Sequence, residues 1–583
     1  MTQGVEPQSA DETRVRGTFT RTRSIAALER LTAYVDTLSP GDRLIAYALG
    51  VGIVLTSLVS FYTLEQRLAV AVPAYGGTLT EGMVGSPRFI HPLLAISDAD
   101  RDLTSLTYAG LMGLTADGSL EPVLAEKVEV SEDGKTYTFT LRENAYFSDG
   151  ARVTADDVVF TIQKAQDPGI KSLEFANWSG VEASAIDART ITFTLPKPYA
   201  PFLENTTIGI LPARHWRSIS NEQFPFSVLT IEPVGAGPFK PGSIRRDKNG
   251  LISGYTLDAN PRFVLGSPYL SRIAFTFFER EEDLTSALAD GDIESAYGYT
   301  GTRSVTAPYA RVFGVFFNQT GSALFARQEV RKALSTVIDR ERIVSDVLGG
   351  YATALMGPVP PGSSVRPTAI TQVEDRVRTA ATILEKEGWK YDTDARLWKH
   401  AGAKLSLEDI TIRTSNVPEL KAVAGAVKLE WERLGLGVTI ELYEPGDLNQ
   451  NVIRPRNYDA LLFGMVIGRE QDLYAFWHSA ERNDPGLNIS LYANKTVDAL
   501  LEQYRQSHDV AVRSANLQKI EDTIASEYPA AFTHAPDFVY AVPEKLKGIV
   551  LPQITTPSDR FAEVRRWHLG TELVWPFLVP KHL

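Results

Sequence analysis

The chain has 583 residues, 44% of them hydrophobic and 10% aromatic, which suits about three or four core-sized units and excludes a disordered or collagenous polymer. Its 59 Lys and Arg stand against 71 Asp and Glu, and the net charge of −12 excludes the broad basic face of a general nucleic-acid binder. Cysteine is absent, which removes disulfides, iron–sulfur clusters, thiolate zinc sites, thiol nucleophiles and cysteine-linked lipid anchors.

Residues 1 to about 25 are polar and rich in Arg and Thr, the composition of a loose tail. Leu44 to Leu64 then reads LIAYALGVGIVLTSLVSFYTL, an uncharged run of about twenty-one residues whose helical length matches a hydrocarbon core of about 30 Å. Arg14, Arg16, Arg21, Arg23, Arg30 and Arg43 precede it and only Arg67 closely follows it, a bias that places the amino terminus in the cytoplasm. Ala69-Val70-Ala71 resembles a signal-peptide cleavage site, yet the long leading region and the charges Glu65 and Arg67 before that site favour an uncleaved anchor. Residues 1–43 are thus read as a cytoplasmic tail and 44–64 as a transmembrane anchor, with the remaining body outside the cytoplasmic membrane, extracellular or periplasmic.

From Tyr75 onward the pattern changes to short alternating runs mixed with amphipathic helices. Thr136 to Leu141 alternates strictly after the turn Asp133-Gly134, and Thr190 to Leu195 repeats the pattern, so two half-buried strands are predicted in one sheet of a subdomain around 119–237. Between them Thr154-Ala-Asp-Asp157 precedes Val158, Val159 and Ile162, a helix-start signature. The acidic run Glu279 to Asp283 opens another predicted helix, where carboxylates complement the macrodipole.

Farther on, Val330, Ala333, Leu334, Val337 and Ile338 mark an amphipathic helix within Gln328–Leu348, and Asp339 reads as the cap of a second one. Ile410 to Arg413 predicts a strand, Pro418 to Leu434 a helix, Val438 to Leu442 a strand and Tyr458 to Val466 a strongly apolar strand. That order implies an α/β sheet covered on both faces. In such sheets ligands sit beyond the carboxyl ends of the strands, which singles out Ser415, Asn416 and Gly464 to Asp472. The standard hydrolytic, nucleotide and metal motifs are absent, and the eight histidines show no helical pairing. No catalytic residue, cofactor, metal site or nucleic-acid site is expected.

The order of segments resembles the extracellular solute-binding proteins of peptide-type ABC importers, family 5, which bind oligopeptides, dipeptides and nickel. The resemblance runs from about Gly76 to Gly548. It begins with GGTLTEGMVGSPRFIHPLL and continues through VSEDGKTYTFTLRENAYFSDG, VTADDVVFTI and Val234-Gly-Ala-Gly-Pro-Phe239. It ends with EVRKALSTVIDRERIVSDVLGG, YDALLFGMV and LYANKTVDALLEQYR.

The resemblance implies a bilobal periplasmic-binding-protein-like fold of type II with an extra subdomain in the first lobe, preceded by the transmembrane helix. Lobe I would comprise 76–305 with the inserted subdomain 119–237, lobe II 306–539, and 540–583 would return to lobe I. Crossings near Tyr309–Asn318 and Phe532–Val542 would act as hinges. Such a monomeric receptor closes around a peptide or other small solute and presents it to an ABC transporter permease.

Ligand contacts carried over from the family motifs are Phe317 and Asn318, Gly464, Met465 and Val466, and the loop from Arg469 to Asp472. Tyr474, Phe476 and Trp477 would either wall the cleft or, as aromatics at this spacing more often do, belong to the core, and His91, which stands where the family often has Asp, would face solvent or the cleft. Peptide-binding members commonly carry Trp at the position of Met465 and, at the position of Arg469, the Asp that pairs with the ligand ammonium. Arg469 suits a carboxylate or another anion instead, whereas Asp472 suits a ligand cation or Arg469 itself. Alternative solutes are a metal chelate or an oligosaccharide, and alternative roles are a ligand sensor or an extracellular enzyme with convergent acid, base or nucleophile groups.

Overall fold

The computed structural model describes residues 32–301, 303–360, 373–408 and 410–578. The expected loose tail at residues 1 to about 25 lies outside them. The apolar run forms one helix, Pro40–Leu68, whose segment Pro40–Thr63 is long and apolar enough to cross a membrane and is nowhere buried. Strand Val70–Pro73 follows it and pairs with Thr571–Val574 near the carboxyl terminus. Of the described residues, those up to Val72 and from Thr571 to Leu578 form one compact unit, and those within Pro73–Gly570 form the other. The last segment of the expected return, 540–583, is therefore split: from Thr571 it belongs with the N-terminal helix.

The body is a mixed α/β fold. In the subdomain, Thr136–Leu141 and Thr190–Thr194 lie side by side in antiparallel register, Tyr137 opposite Phe193 and Phe139 opposite Ile191. Ala125–Val130 and Glu182–Ala185 complete a four-stranded sheet. The apolar members of the alternation are buried and the intervening threonines are not, because successive side chains of a strand point to opposite faces. Helix Ala155–Ala165 covers this sheet. The Asp157 carboxylate accepts from the backbone N–H and hydroxyl of Thr154 at 2.8 and 2.7 Å, closing the N-terminus that the sequence pattern predicts.

A second four-stranded sheet runs in the order Thr78–Val84, Arg272–Phe278, Ile252–Ala259, Phe239–Arg246, with the first pair parallel. It is fastened to the late segment Pro557–Phe561 by Arg560, which is fully buried. Arg560 forms ion pairs with Glu81 on the first strand at 2.8 Å and with Asp102 on helix Asp98–Thr107, and the Tyr540 hydroxyl donates to Glu81 at 2.6 Å. Burial lifts the Asp102 carboxyl to about 6 against the pull of Arg560.

The remaining large sheet carries the predicted strand–helix–strand pattern. Ile410–Ser415 is parallel to Val438–Tyr443 and to Ala460–Val466, and helix Pro418–Arg433 connects the first two. Ala460–Val466 is antiparallel to Arg311–Phe317, which pairs in turn with the thirteen-residue strand Ala530–Val542. Both faces are covered: Leu462, Ile412 and Phe317 pack with Val423, Val427 and Trp431 on one side, while Leu461, Met465 and Phe316 pack with Leu473 and Trp477 on the other.

Strand Ala530–Val542 pairs with two successive partners. Its first residues pair with Arg311–Phe317 and its last six, Asp537 to Val542, with Arg303–Pro308. The short link Tyr309-Ala310 lies between those two partner strands. Helix Gln328–Val337 stops two residues before Asp339, whose carboxylate caps the next turn by accepting from Arg342 N–H at 3.1 Å. The small antiparallel sheet Trp389–Asp392, Leu397–His400, Leu405–Leu407 was not foreseen from the sequence.

Candidate functional site

The candidate site lies at the carboxyl ends of the parallel strands and is built around Ala460–Val466. This strand is paired along its whole length with Arg311–Phe317, from Ala460 opposite Phe317 to Val466 opposite Arg311. On its other side it meets Ile410–Ser415 only at Ala460 and Leu461. Beyond Leu461 that edge has no ladder partner among the described residues, although the Thr414 hydroxyl donates to the buried Leu462 carbonyl at 2.8 Å, and Val466 at its end is 46% exposed. An unpaired strand edge presents N–H and C=O groups to whatever occupies the site.

Gly464 sits where Phe313 crosses. A Cβ there would stand 2.5 Å from the Phe313 ring, a separation no side chain tolerates, so glycine is a steric necessity. Phe313 is in turn stacked on His534, ring centres 4.9 Å apart. His534 is fully buried, with Nε2 3.5 Å from Glu419 on the first turn of helix Pro418–Arg433.

The loop after the strand is held by four ion pairs. Arg469 reaches Asp559 at 2.8 Å and Glu204 at 3.7 Å. Glu470 pairs with Arg513, and Asp472 with Arg505 at 2.7 Å. Asp559 also accepts from Thr555 and Thr556 N–H at 2.8 and 2.9 Å, so its charge is well satisfied. Glu204 has less support, and burial pushes its carboxyl up to about 7 despite Arg469. The guanidinium of Arg505 lies 3.9 Å from the Tyr474 ring centre, and its backbone C=O accepts from Ala200 N–H of the inserted subdomain at 2.8 Å.

Several sequence candidates gather here: Gly464, Val466, Arg469, Asp472 and Tyr474, with Ser415 and Asn416 at the end of the neighbouring strand. Ser415 is buried, and Asn416 is exposed with its side chain donating to Glu444. Asp472 does not pair with Arg469, because Arg505 occupies its carboxylate.

Other candidates are elsewhere. Phe317 and Asn318 mark the opposite end of the sheet. Phe317 packs on Phe325 and Trp431, and Asn318 spends its amide on the carbonyls of Tyr458 and Arg456 and its oxygen on Gly321 N–H. The link Tyr309-Ala310 is one strand length away, because it precedes Arg311 and Phe317 is the far end of that strand. Met465 and Trp477 point into the core with Phe532, since alternate residues of a doubly covered strand face opposite layers. Phe476 is only partly buried against the same cluster.

His91 faces neither solvent nor crevice: it is fully buried edge-on to Trp216 at 4.6 Å, accepts from Leu93 N–H through Nδ1, and burial lowers its pKa to about 3. Glu204, Asp559, Arg505 and Arg513 were missed, since nothing local in the sequence joins them to the loop. Among the described residues no group of three or more His, Cys, Asp or Glu stands positioned to hold a metal ion.

Comparison with known proteins matches residues 119–485 to the family model described as bacterial extracellular solute-binding proteins, family 5 Middle. The chain is 26% identical over 526 residues to the oligopeptide-binding protein AppA of Bacillus subtilis, covering 87% of this chain and 94% of AppA. It is 24% identical to the probable D,D-dipeptide-binding periplasmic protein DdpA of Escherichia coli, covering 81% and 91%. Among solved structures, AppA in complex with a nonapeptide superposes with a TM-score of 0.64 at 23% identity, covering 86% of this chain and all of that one. NikZ of Campylobacter jejuni in complex with Ni(L-His) gives 0.66 at 22% identity, covering 84% and 99%. These likenesses share the bilobal architecture described above, and the family match spans well over half of the chain: it belongs to the family 5 bacterial extracellular solute-binding proteins.

Proposed function

We propose that this chain is the solute receptor of an ABC importer, held at the cytoplasmic membrane by helix Pro40–Leu68 with its body outside, and that it captures oligopeptides between its lobes for delivery to a permease. The lobes are assigned as 76–305 with the segment from 540 to 570, and 306–539. The observation that carries the peptide reading is the edge of Ala460–Val466 beyond Leu462, which has no ladder partner among the described residues and suits main-chain pairing with an extended peptide. The names of the relatives, oligopeptide- and dipeptide-binding, support the same class.

Ser415, Asn416, Val466, Arg469 and Tyr474 are proposed to line the site. With only two chain crossings between lobes, closure needs few backbone rotations, and a ligand drives it by its differential affinity for the closed form. Arg469 gives the site a preference for an anionic group such as a peptide carboxylate, which would share the guanidinium with Asp559.

A second reading, a metal-chelate receptor, is favoured by one feature: the buried His534 ring with Nε2 turned toward Glu419. Native mass spectrometry of residues 76–583 purified without refolding separates the two. A ladder of mixed peptides supports the first reading, and one homogeneous chelate overturns it. Protease applied to intact cells or spheroplasts tests the orientation, since a body that survives treatment is inside.

A further inference from the structure

The helix Pro40–Leu68 does not end alone. Strand Val70–Pro73 leaves it and pairs with Thr571–Val574, so the carboxyl-terminal segment is delivered to that end of the helix. The next residues are Trp575-Pro576-Phe577-Leu578. The Trp575 ring packs against Phe61 of the helix, ring centres 6.0 Å apart, and stacks with Phe577 at 6.1 Å. Phe61 lies about 5 Å of helix rise inside the end of the uncharged run. Phe577 is 78% exposed and Leu573 48%, and among the described residues no apolar layer covers either. Two stacked aromatics beside the last turn of an apolar span stand at the depth where Trp and Tyr rings collect at membrane–water interfaces. Lipid continues the layer already formed by the exposed helix faces next to them, and Glu572, exposed just before the cluster, keeps the pairing strand on the water side.

We propose that Trp575 and Phe577 form a second membrane contact, an interfacial aromatic anchor that seats the carboxyl terminus in the outer headgroup region beside the span. This rests on the reading of Pro40–Leu68 as a transmembrane helix. The contact converts a body tethered by one connection into one tethered by two, at both ends of its chain, and so limits how far it tumbles above the bilayer.

Because the chain has no cysteine, single-cysteine variants of the full-length protein carry one environment-sensitive NBD label each. F577C, V54C in the middle of the helix and I186C on an exposed turn of the body are reconstituted in phosphatidylcholine vesicles containing lipids spin-labelled at shallow or deep acyl positions. The expected result is at least twofold quenching of NBD at 577, stronger with the shallow label, with deep-label quenching at 54 and none at 186. Quenching at 54 without quenching at 577 overturns the proposal and leaves the span intact. Absence of quenching at both positions overturns the span and the proposal with it. Stronger quenching at 577 by the deep label overturns the interfacial placement, and a pyrene excimer at 577 that grows with protein-to-lipid ratio replaces the bilayer by a second copy of the chain.

Discussion

Arg469 and Asp559 meet at 2.8 Å, one on the loop that follows Ala460–Val466 and the other on the short segment Pro557–Phe561. Both side chains are largely shielded from water, 16% and 15% exposed. Replacing Arg469 by Met leaves Asp559 with its two backbone donors but strips Glu204 of its nearest cation, so the loss falls mainly on Glu204. A stability loss of about 1–3 kcal/mol in urea unfolding is expected. If Arg469 also reads a ligand carboxylate, Arg469→Met weakens binding of a free-acid peptide about tenfold or more and leaves its C-terminal amide unaffected. Calorimetric titration of the two peptides distinguishes these, and equal losses for acid and amide exclude a carboxylate contact.

Glu204 makes the contact with Arg469 sensitive to pH. Its folded pKa, about 7, lies above the ordinary value of 4.5, so between those values the folded chain holds a proton that the unfolded chain has released. The neutral form is the one burial favours, and its contribution is full below about 4.5, falls as pH rises toward 7 and is gone above it. Asp102, lifted to about 6, acts with the same sign, whereas His91, lowered to about 3, destabilises the fold as pH drops below its ordinary 6.5. The separable quantity is the difference between wild type and Glu204→Gln. That difference should change by about 2–3 kcal/mol between pH 5 and pH 8, the variant gaining relative to wild type as pH rises. Urea midpoints at four pH values measure it, and a pH-independent difference refutes the raised pKa.

The elements written in local periodicity were legible before any coordinates. The alternation at Thr136–Leu141, the Thr154–Asp157 start signal and the strand–helix–strand order from Ile410 all reappear where expected, because each rests on residues within a few positions of one another. The strand order from which a topological rule places the ligand site also reappears, with Ile410–Ser415 and Ala460–Val466 parallel neighbours. What failed depended on which face a side chain takes. Phe317 and Trp477 are aromatic and motif-adjacent, like ligand-wall residues, yet the doubly covered sheet claims both for its core. The partners of Arg469 and Asp472 were illegible for another reason: Glu204, Asp559 and Arg505 arrive from distant segments, and no spacing in the sequence records that arrival.

Arg560 illustrates how a neighbour positions the site without lining it. Its guanidinium is wholly enclosed with Glu81 and Asp102, and this pins the short segment Pro557–Phe561 from which Asp559 reaches Arg469. Arg560→Met leaves two buried carboxylates without their cation, a loss expected to cost about 3–5 kcal/mol. The triple change Arg560→Met, Glu81→Gln, Asp102→Asn removes the charges together and should recover more than half of that loss in urea unfolding. A triple variant no more stable than the single one would mean that the arginine acts through packing alone.

Gly464 and Phe313 test the steric claim at the candidate site. Gly464→Ala introduces a methyl group 2.5 Å from a ring that His534 blocks from the other side, so neither partner is free to yield. Overpacking of this kind costs about 1–3 kcal/mol. Phe313→Leu costs a similar amount alone through lost contact, because that ring is only partly buried. In the double variant the smaller leucine makes room for the methyl group, so the two losses do not add, and a favourable coupling of about 1 kcal/mol or more is expected from a double-mutant cycle. Additive losses would show that the glycine is tolerated there for its backbone freedom instead of being required by the ring above it.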